Sequence, residues 1–170
     1  MTVPAAEIRL QSGEDYPALL LLNEETFGAG RFARTAYRVR EGAKTEPALN
    51  LCAVLNNSII GAVNFTPAEI GGVSGALLLG PLIIDKAHSN QGHGLRLMLE
   101  GIERARSLGY KLIILVGDLP YYARAGFALV PQGQIELPGP VDPGRLLYVE
   151  LVPGALKAYR GLMRGVPAET

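Results

Sequence analysis

The stretch Ala76 to Asp85 (Ala-Leu-Leu-Leu-Gly-Pro-Leu-Ile-Ile-Asp) constrains the fold more than any other part of this sequence. It is almost wholly apolar, yet far shorter than the roughly 20 residues a membrane helix needs. It also lacks the alternation of a strand with one wet face, so it reads as a strand covered on both faces. A polar, Gly-rich loop follows, Ala87 to Gly94, and then a helix over about Leu95 to Leu108. Leu95, Met98, Ile102 and Ala105 form the inward stripe of that helix, and Gly109 is its C-cap. Lys111 to Val116 is another buried strand. A strand-helix-strand unit of this kind sets its strands parallel, with a right-handed crossover.

The remaining segments dress this unit. Glu7 to Leu10 alternates and reads as a first strand. Ser12 and Asp15 have capping-box spacing, with Pro17 in the first turns of a helix that runs to Phe27 and stops at Gly28-Ala29-Gly30. A second helix, Arg31 to Glu41, buries Phe32, Ala36 and Val39 and carries Arg31, Arg34, Arg38 and Arg40. Leu49 to Leu55 and Ser58 to Ile70 are strands joined by Asn56-Asn57, and Gly71-Gly72 turns the chain into the apolar strand. Beyond Val116, Gly117-Asp118-Leu119-Pro120 breaks the strand, and Tyr121 to Ala125 is a short helix ended by Gly126. Phe127 to Val130 and Leu146 to Leu151 are late strands, and Pro153 to Arg164 reads as a terminal helix. The expectation is one α/β (α+β) domain with a mixed sheet over residues 1–170, with no repeat and no dividing linker.

Charge narrows the partners. Sixteen acidic residues cancel 16 basic ones. A neutral chain is not a broad nucleic-acid binder, although a local site for a small polyanion stays open. The 48% apolar content excludes general disorder. The only cysteine, Cys52, forbids an intrachain disulfide and suits a reducing cytoplasm. The N-terminus lacks the basic start and apolar run of a signal peptide. No apolar run is long enough for a membrane helix, and no membrane partner is expected.

The segment Asp85-Lys86-Ala87-His88-Ser89-Asn90-Gln91-Gly92-His93-Gly94-Leu95-Arg96 joins the apolar strand to its helix. Two glycines one residue apart at a helix start let backbone N–H groups converge where the helix dipole is positive, a natural phosphate site. A purely structural tight turn is the other reading. A Walker loop is excluded because no Gly-Lys-Ser/Thr occurs. The Rossmann pattern fails because Leu97 stands at its third glycine. The segment resembles the coenzyme A loop of the GNAT superfamily of acetyl-CoA-dependent N-acetyltransferases, Gln/Arg-x-x-Gly-x-Gly/Ala. Gly92 and Gly94 match, while Ser89 stands where Gln or Arg is usual. Pro120-Tyr121-Tyr122-Ala123-Arg124-Ala125-Gly126-Phe127 resembles the family's Tyr-x-x-x-Gly-Phe element. Leu79 to Leu82, Leu115 to Asp118 and Gly30 to Arg38 resemble a poorly characterised bacterial branch of it. The likeness spans about Ile8 to Leu156.

The resemblance implies a GNAT fold, a mostly antiparallel central sheet around a parallel β-α-β core that binds acetyl-CoA. It implies acetyl transfer from acetyl-CoA, with no metal, to a primary amine by direct attack. Tyr122 matches the tyrosine placed near the coenzyme sulfur and would be the acid; a core aromatic is the alternative. Ser89, Asn90, Gln91, Gly92, His93, Gly94 and Leu95 would hold the pyrophosphate. Leu82, Ile83 and Ile84 would pair with pantetheine, and an amide at a splay or bulge near Leu82 would bind the oxyanion. Arg96 and Arg124 would approach the phosphates, or are solvated arginines. The base stays open: Asp118 is a base or a turn residue, Glu24 and Glu25 lie near the expected acceptor groove, and a water chain would also serve. His88 and His93 are expected at the surface beside the loop, and Cys52 in the packing. The arginines on the second helix form a solvated face or meet an acidic acceptor or carrier. Acceptor choice should lie in the first helices and in Pro131 to Gly144. A longer acyl-CoA, an oxygen acceptor, and a non-catalytic CoA- or partner-binding module are rival readings; a homodimer is left open.

Overall fold

The computed structural model describes residues 5–28 and 35–168. The first strand, β1 (Glu7–Leu10), lies at one edge of the sheet, antiparallel to β2 (Leu51–Leu55). Between them, the Ser12 N–H donates to the Asp15 carboxylate at 2.7 Å, as the capping-box spacing predicts. Asp15 is also held by Arg9 at 2.8 Å, which keeps its carboxyl well below the usual carboxylate range. α1 (Tyr16–Phe27) follows, with Pro17 in its first turn, and ends where Gly28 takes φ 66°. The described part of the second helix is α2 (Thr35–Arg40). Its expected start, with Arg31, Phe32 and Arg34, lies outside the described residues.

β2, β3 (Ser58–Ile70) and β4 (Val73–Ile84) form an antiparallel meander. Its turns are made as the sequence predicts. Asn56 and Asn57 adopt φ 51° and 63°, and Gly71 and Gly72 adopt 57° and 83°. Such positive φ pairs match the twist of a two-residue hairpin. α3 (His93–Ser107) crosses to β5 (Leu112–Val116), which pairs parallel with β4. After α4 (Leu119–Tyr122) come β6 (Ala128–Leu129), β7 (Ile135–Glu136) and β8 (Leu146–Glu150), with β8 antiparallel to β5. The principal order is β1-β2-β3-β4-β5-β8-β6 in a nine-stranded mixed sheet.

Both faces of the centre are covered, which explains the unbroken apolar runs. Leu77 and Leu79 of β4, with Ile113 and Leu115 of β5, pack against Leu97, Met98 and Ile102 of α3. Their alternates Ala76, Leu78, Leu112 and Ile114 pack with Val39, Tyr159 and Met163 on the opposite face.

The expected terminal helix is not formed. Gly154 and Gly161 take φ 83° and 116°, which a right-handed helix does not tolerate. Instead, β9 (Gly161–Gly165) pairs antiparallel with Ala68 to Ile70, the stretch of β3 beyond the reach of β2. Tyr159 is fully buried and donates its hydroxyl to Ser74 O at 2.7 Å, fixing this tail.

Gly101 sets how closely α3 sits on the sheet: a Cβ there would stand 2.5 Å from the ring of buried Phe65. Gly101→Val is therefore expected to lower stability by about 1–3 kcal/mol, through overpacking, despite a better helix propensity. Chemical denaturation of the two proteins measures it.

Candidate functional site

β4 and β5 pair only at Ala76–Leu112, Leu77–Ile113 and Leu78–Ile114. Beyond these pairs the strands part. β4 stays with β3 as far as Ile84, and β5 stays with β8 as far as Val116. At the parting point, Leu79 faces Phe65 while Leu82 faces Val63, so Gly80 and Pro81 together lie opposite Asn64. This is the bulge expected near Leu82. An extra residue bends the strand, and Pro81 has no N–H to give a ladder. The β4 edge from Leu79 onward is consequently open toward β5. A cavity of about 810 Å³ fills the gap, lined by Gly80 to Leu82, Val116 to Asp118, Tyr121 and Tyr122, together with α1, α2 and the segment Pro140 to Arg145.

The Gly-rich loop sits at the far end of the open edge. Ser89, Asn90, Gln91 and Gly92 are exposed. Asn90 and Gly92 take φ 60° and 86°, and Gly92 is the N-cap of α3. The helix begins at His93, two residues earlier than the sequence predicts. The first N–H groups of a helix have no intrahelical partner and are available to an anion. Ser89 turns its hydroxyl into its own loop, donating to Lys86 O at 3.0 Å. Leu95 is half-buried, as are Leu82 and Ile84, whereas Ile83 is buried.

The two tyrosines face different tasks. A Cβ at Gly94 would overlap the Tyr121 hydroxyl, so Tyr121 spans the gap from α4 to the start of α3. The Arg124 guanidinium lies over the Tyr121 ring, 5.4 Å from its centre. Tyr122 packs directly against Gly117, where a Cβ would overlap the ring, and meets Phe127 edge to face at 6.1 Å. Burial, then Tyr121 and Asp118, push the Tyr122 phenol up to about 12. It therefore keeps its proton at neutral pH while lining the cavity.

Several expected residues are placed elsewhere. Arg96 is exposed and donates to Ala6 O at 2.9 Å, tying α3 to the segment before β1. His93 is not a surface residue: it is 4% exposed, with Nε2 3.2 Å from Gln91 Oε1. Burial, Arg96 and His88 all lower its pKa, so the ring is neutral beside the positive helix end. His88 is half-buried, 3.7 Å from the Asp85 carboxylate. Glu24 and Glu25 are exposed and do not line the cavity; Asn23 and Phe27 of the same helix do. Asp118 does line it, 3.8 Å from Arg145. Cys52 is buried, and burial pushes its thiol pKa up, consistent with packing.

Sequence reasoning missed Tyr16, Leu20, Asn23 and Phe27, which line the cavity from one face of α1. Their spacing of four, three and four was the available signal. Among the described residues, no cluster of three or more His, Cys, Asp or Glu could hold a metal. No helix among them is long and apolar enough to cross a membrane.

Comparison with known proteins points one way. The model of the acetyltransferase (GNAT) family matches residues 16–127. YjhQ of Escherichia coli K12, an uncharacterised N-acetyltransferase, is 28% identical over 130 residues, covering 75% of this chain and 72% of its own. Among solved structures, the GNAT family N-acetyltransferase YhbS of Escherichia coli in complex with CoA has a TM-score of 0.82 at 25% identity, over 97% of this chain and 93% of that one. A GNAT family acetyltransferase of Brucella melitensis in complex with acetyl-CoA has a TM-score of 0.62 at 26% identity, over 85% and 95%.

The contact between Gly94 and Tyr121 is testable by a double-mutant cycle. Gly94→Ala should destabilise the fold by about 1–2 kcal/mol through overpacking, and adding Tyr121→Phe should recover part of that loss. Strictly additive unfolding free energies would show that the two positions do not touch.

Proposed function

Because the chain belongs to the acetyltransferase (GNAT) family and is an acyltransferase, we propose that it moves an acetyl group from acetyl-CoA to a primary amine by direct attack. One observation carries this reading: a single cavity joins an open, bulged strand edge to a tyrosine that keeps its proton. The CoA and acetyl-CoA complexes of its structural relatives support the cosubstrate.

Acetyl-CoA supplies the activated acyl group. Its pyrophosphate fits the exposed loop Ser89 to Gly92 and the N–H groups of His93, Gly94 and Leu95 that begin α3, with no lysine needed. The open main chain of Leu82, Ile83 and Ile84 suits an extended amide-bearing arm, which would lie against β4 as an added strand. An amide at the Gly80-Pro81 bulge, that of Leu82, is the donor we assign to the acetyl oxygen; Pro81 has none to give. Tyr122 is the assigned proton donor to the departing sulfur. Its phenol is protonated at neutral pH, as a proton donor must be. Arg124, held over Tyr121, is the arginine we place near the phosphates. Arg96 serves the fold through Ala6, and any contact it makes with phosphate is additional.

Isothermal calorimetry should show saturable acetyl-CoA binding; no heat at millimolar ligand would sink the reading. In an amine panel followed by CoA release, Tyr122→Phe should lower kcat about a hundredfold or more, while acetyl-CoA affinity changes little. An unchanged kcat removes Tyr122 as the acid.

A further inference from the structure

We propose that Gly117 is a positioning residue for the reaction: its missing side chain seats the Tyr122 phenol where the departing sulfur receives its proton. The proposal rests on Tyr122 being the acid of the acetyl-transfer reading.

The backbone at this position does not demand glycine. Gly117 takes no positive φ, the region where other residues are strained. It is buried and extends β5 by one residue, its N–H donating to Arg145 O at 2.9 Å, just before β8 begins. What the position lacks is room. A Cβ there would overlap Cε2 of the Tyr122 ring and stand 2.9 Å from Cδ2 and 3.1 Å from Cζ. Cζ carries the hydroxyl, so the crowded edge of the ring is the edge that bears the acid.

The main chain on both sides of this contact is tethered. Gly117 is held by its bond to Arg145. The N–H groups of Tyr121 and Tyr122 both donate to Asp118 O at 3.1 Å, and Tyr122 O accepts from Phe127 N at 3.3 Å. Asp118 directly follows Gly117, so one short loop fixes both residues. The ring itself meets Tyr121 edge to face at 5.0 Å and Phe127 at 6.1 Å. Carbon atoms in ordinary contact lie about 3.5–4.0 Å apart, so an added methyl drives the ring back by about 1 Å. The side chain takes up that displacement and carries the hydroxyl with it.

The consequence falls on one event of the reaction. The amine nitrogen bonds to the acetyl carbon, the C–S bond breaks, the sulfur takes the phenolic proton, and the amine's surplus proton passes to solvent. Proton delivery alone needs the hydroxyl in place. A displacement of about 1 Å in an active site lowers rate by as much as about a hundredfold. Acetyl-CoA binding is assigned to the loop before α3 and to the β4 edge, across the gap from Gly117, and is expected to survive.

The test is a cycle of four proteins: wild type, Gly117→Ala, Tyr122→Phe and the double variant. CoA release is followed with a panel of alkyl, arylalkyl and amino-acid primary amines. Calorimetry gives the acetyl-CoA affinity and the fraction of sites that bind, and kcat is expressed per binding site, which removes any loss through unfolding. Gly117→Ala should lower kcat about tenfold to a hundredfold, with acetyl-CoA affinity within about twofold of wild type. In the Tyr122→Phe background the same substitution should change kcat by less than about twofold, because the hydroxyl it displaces is already gone. An equal loss in both backgrounds is a general effect of the methyl and overturns the proposal. So does an unchanged kcat in Gly117→Ala, or a Gly117→Ala protein that no longer binds acetyl-CoA. In all three cases the acetyltransferase reading stands. If Tyr122→Phe leaves kcat unchanged, the acid assignment falls and the role of Gly117 with it. A wild type that binds no acetyl-CoA, or turns over no amine, overturns the acetyl-transfer reading and this proposal together.

Discussion

The parallel ladder between β4 and β5 lasts three residue pairs, and the candidate site depends on where it stops. Two strands can part inside a sheet only if each keeps a neighbour on its other edge, because unpaired buried peptide groups are costly. Here β3 holds β4 and β8 holds β5 to their ends. The Gly80-Pro81 bulge makes parting cheap, since one extra residue bends the strand and proline needs no partner for a missing N–H. What opens is a strand edge already inside the protein, with apolar clusters on both faces of the sheet.

Around this opening the proposed phosphate site is built from main chain more than from charge. The loop that opens α3 exposes Ser89 to Gly92; near it, Arg96 donates to Ala6 O and Arg124 lies over the Tyr121 ring. His93, the first residue of the helix, is buried with its pKa lowered. A protonated imidazole there would oppose the helix dipole, and neutrality removes the conflict. A chain with no net charge is consistent with such a site.

Much of the fold was legible because local chemistry dictates it. Asn56-Asn57 and Gly71-Gly72 adopt the positive φ their types favour, and Gly28 and Gly126 stop their helices. The unbroken apolar runs reported two covered faces before either covering element was known. In the tail, expected as a helix over Pro153 to Arg164, Leu156, Tyr159 and Met163 recur at near-helical spacing, yet the chain ends as a strand. The vacant edge of β3 at Ala68 to Ile70 captures Gly161 to Gly165 as a strand, and nothing local in the tail reports that vacancy. His93 looked like a surface residue, yet it is buried, with Gln91 and His88 of its own loop beside the ring.

For the site, the sequence by itself determined the chemistry that could be present. It supplied two glycines at a helix start, a Gly-Pro step in an apolar strand, and a tyrosine pair before a glycine. These are short-range facts, written in backbone freedom and residue type. The tertiary structure alone decided how they meet: both tyrosines line the cavity, Tyr122 against Gly117 and Tyr121 against Gly94, and Asn23 and Phe27 face it while Glu24 and Glu25 do not. It also carried Arg40 to Gly80, 40 residues away in the chain. Separation along the chain carries no record of such meetings, which arise only when β4 and β5 diverge and the helices close over the gap.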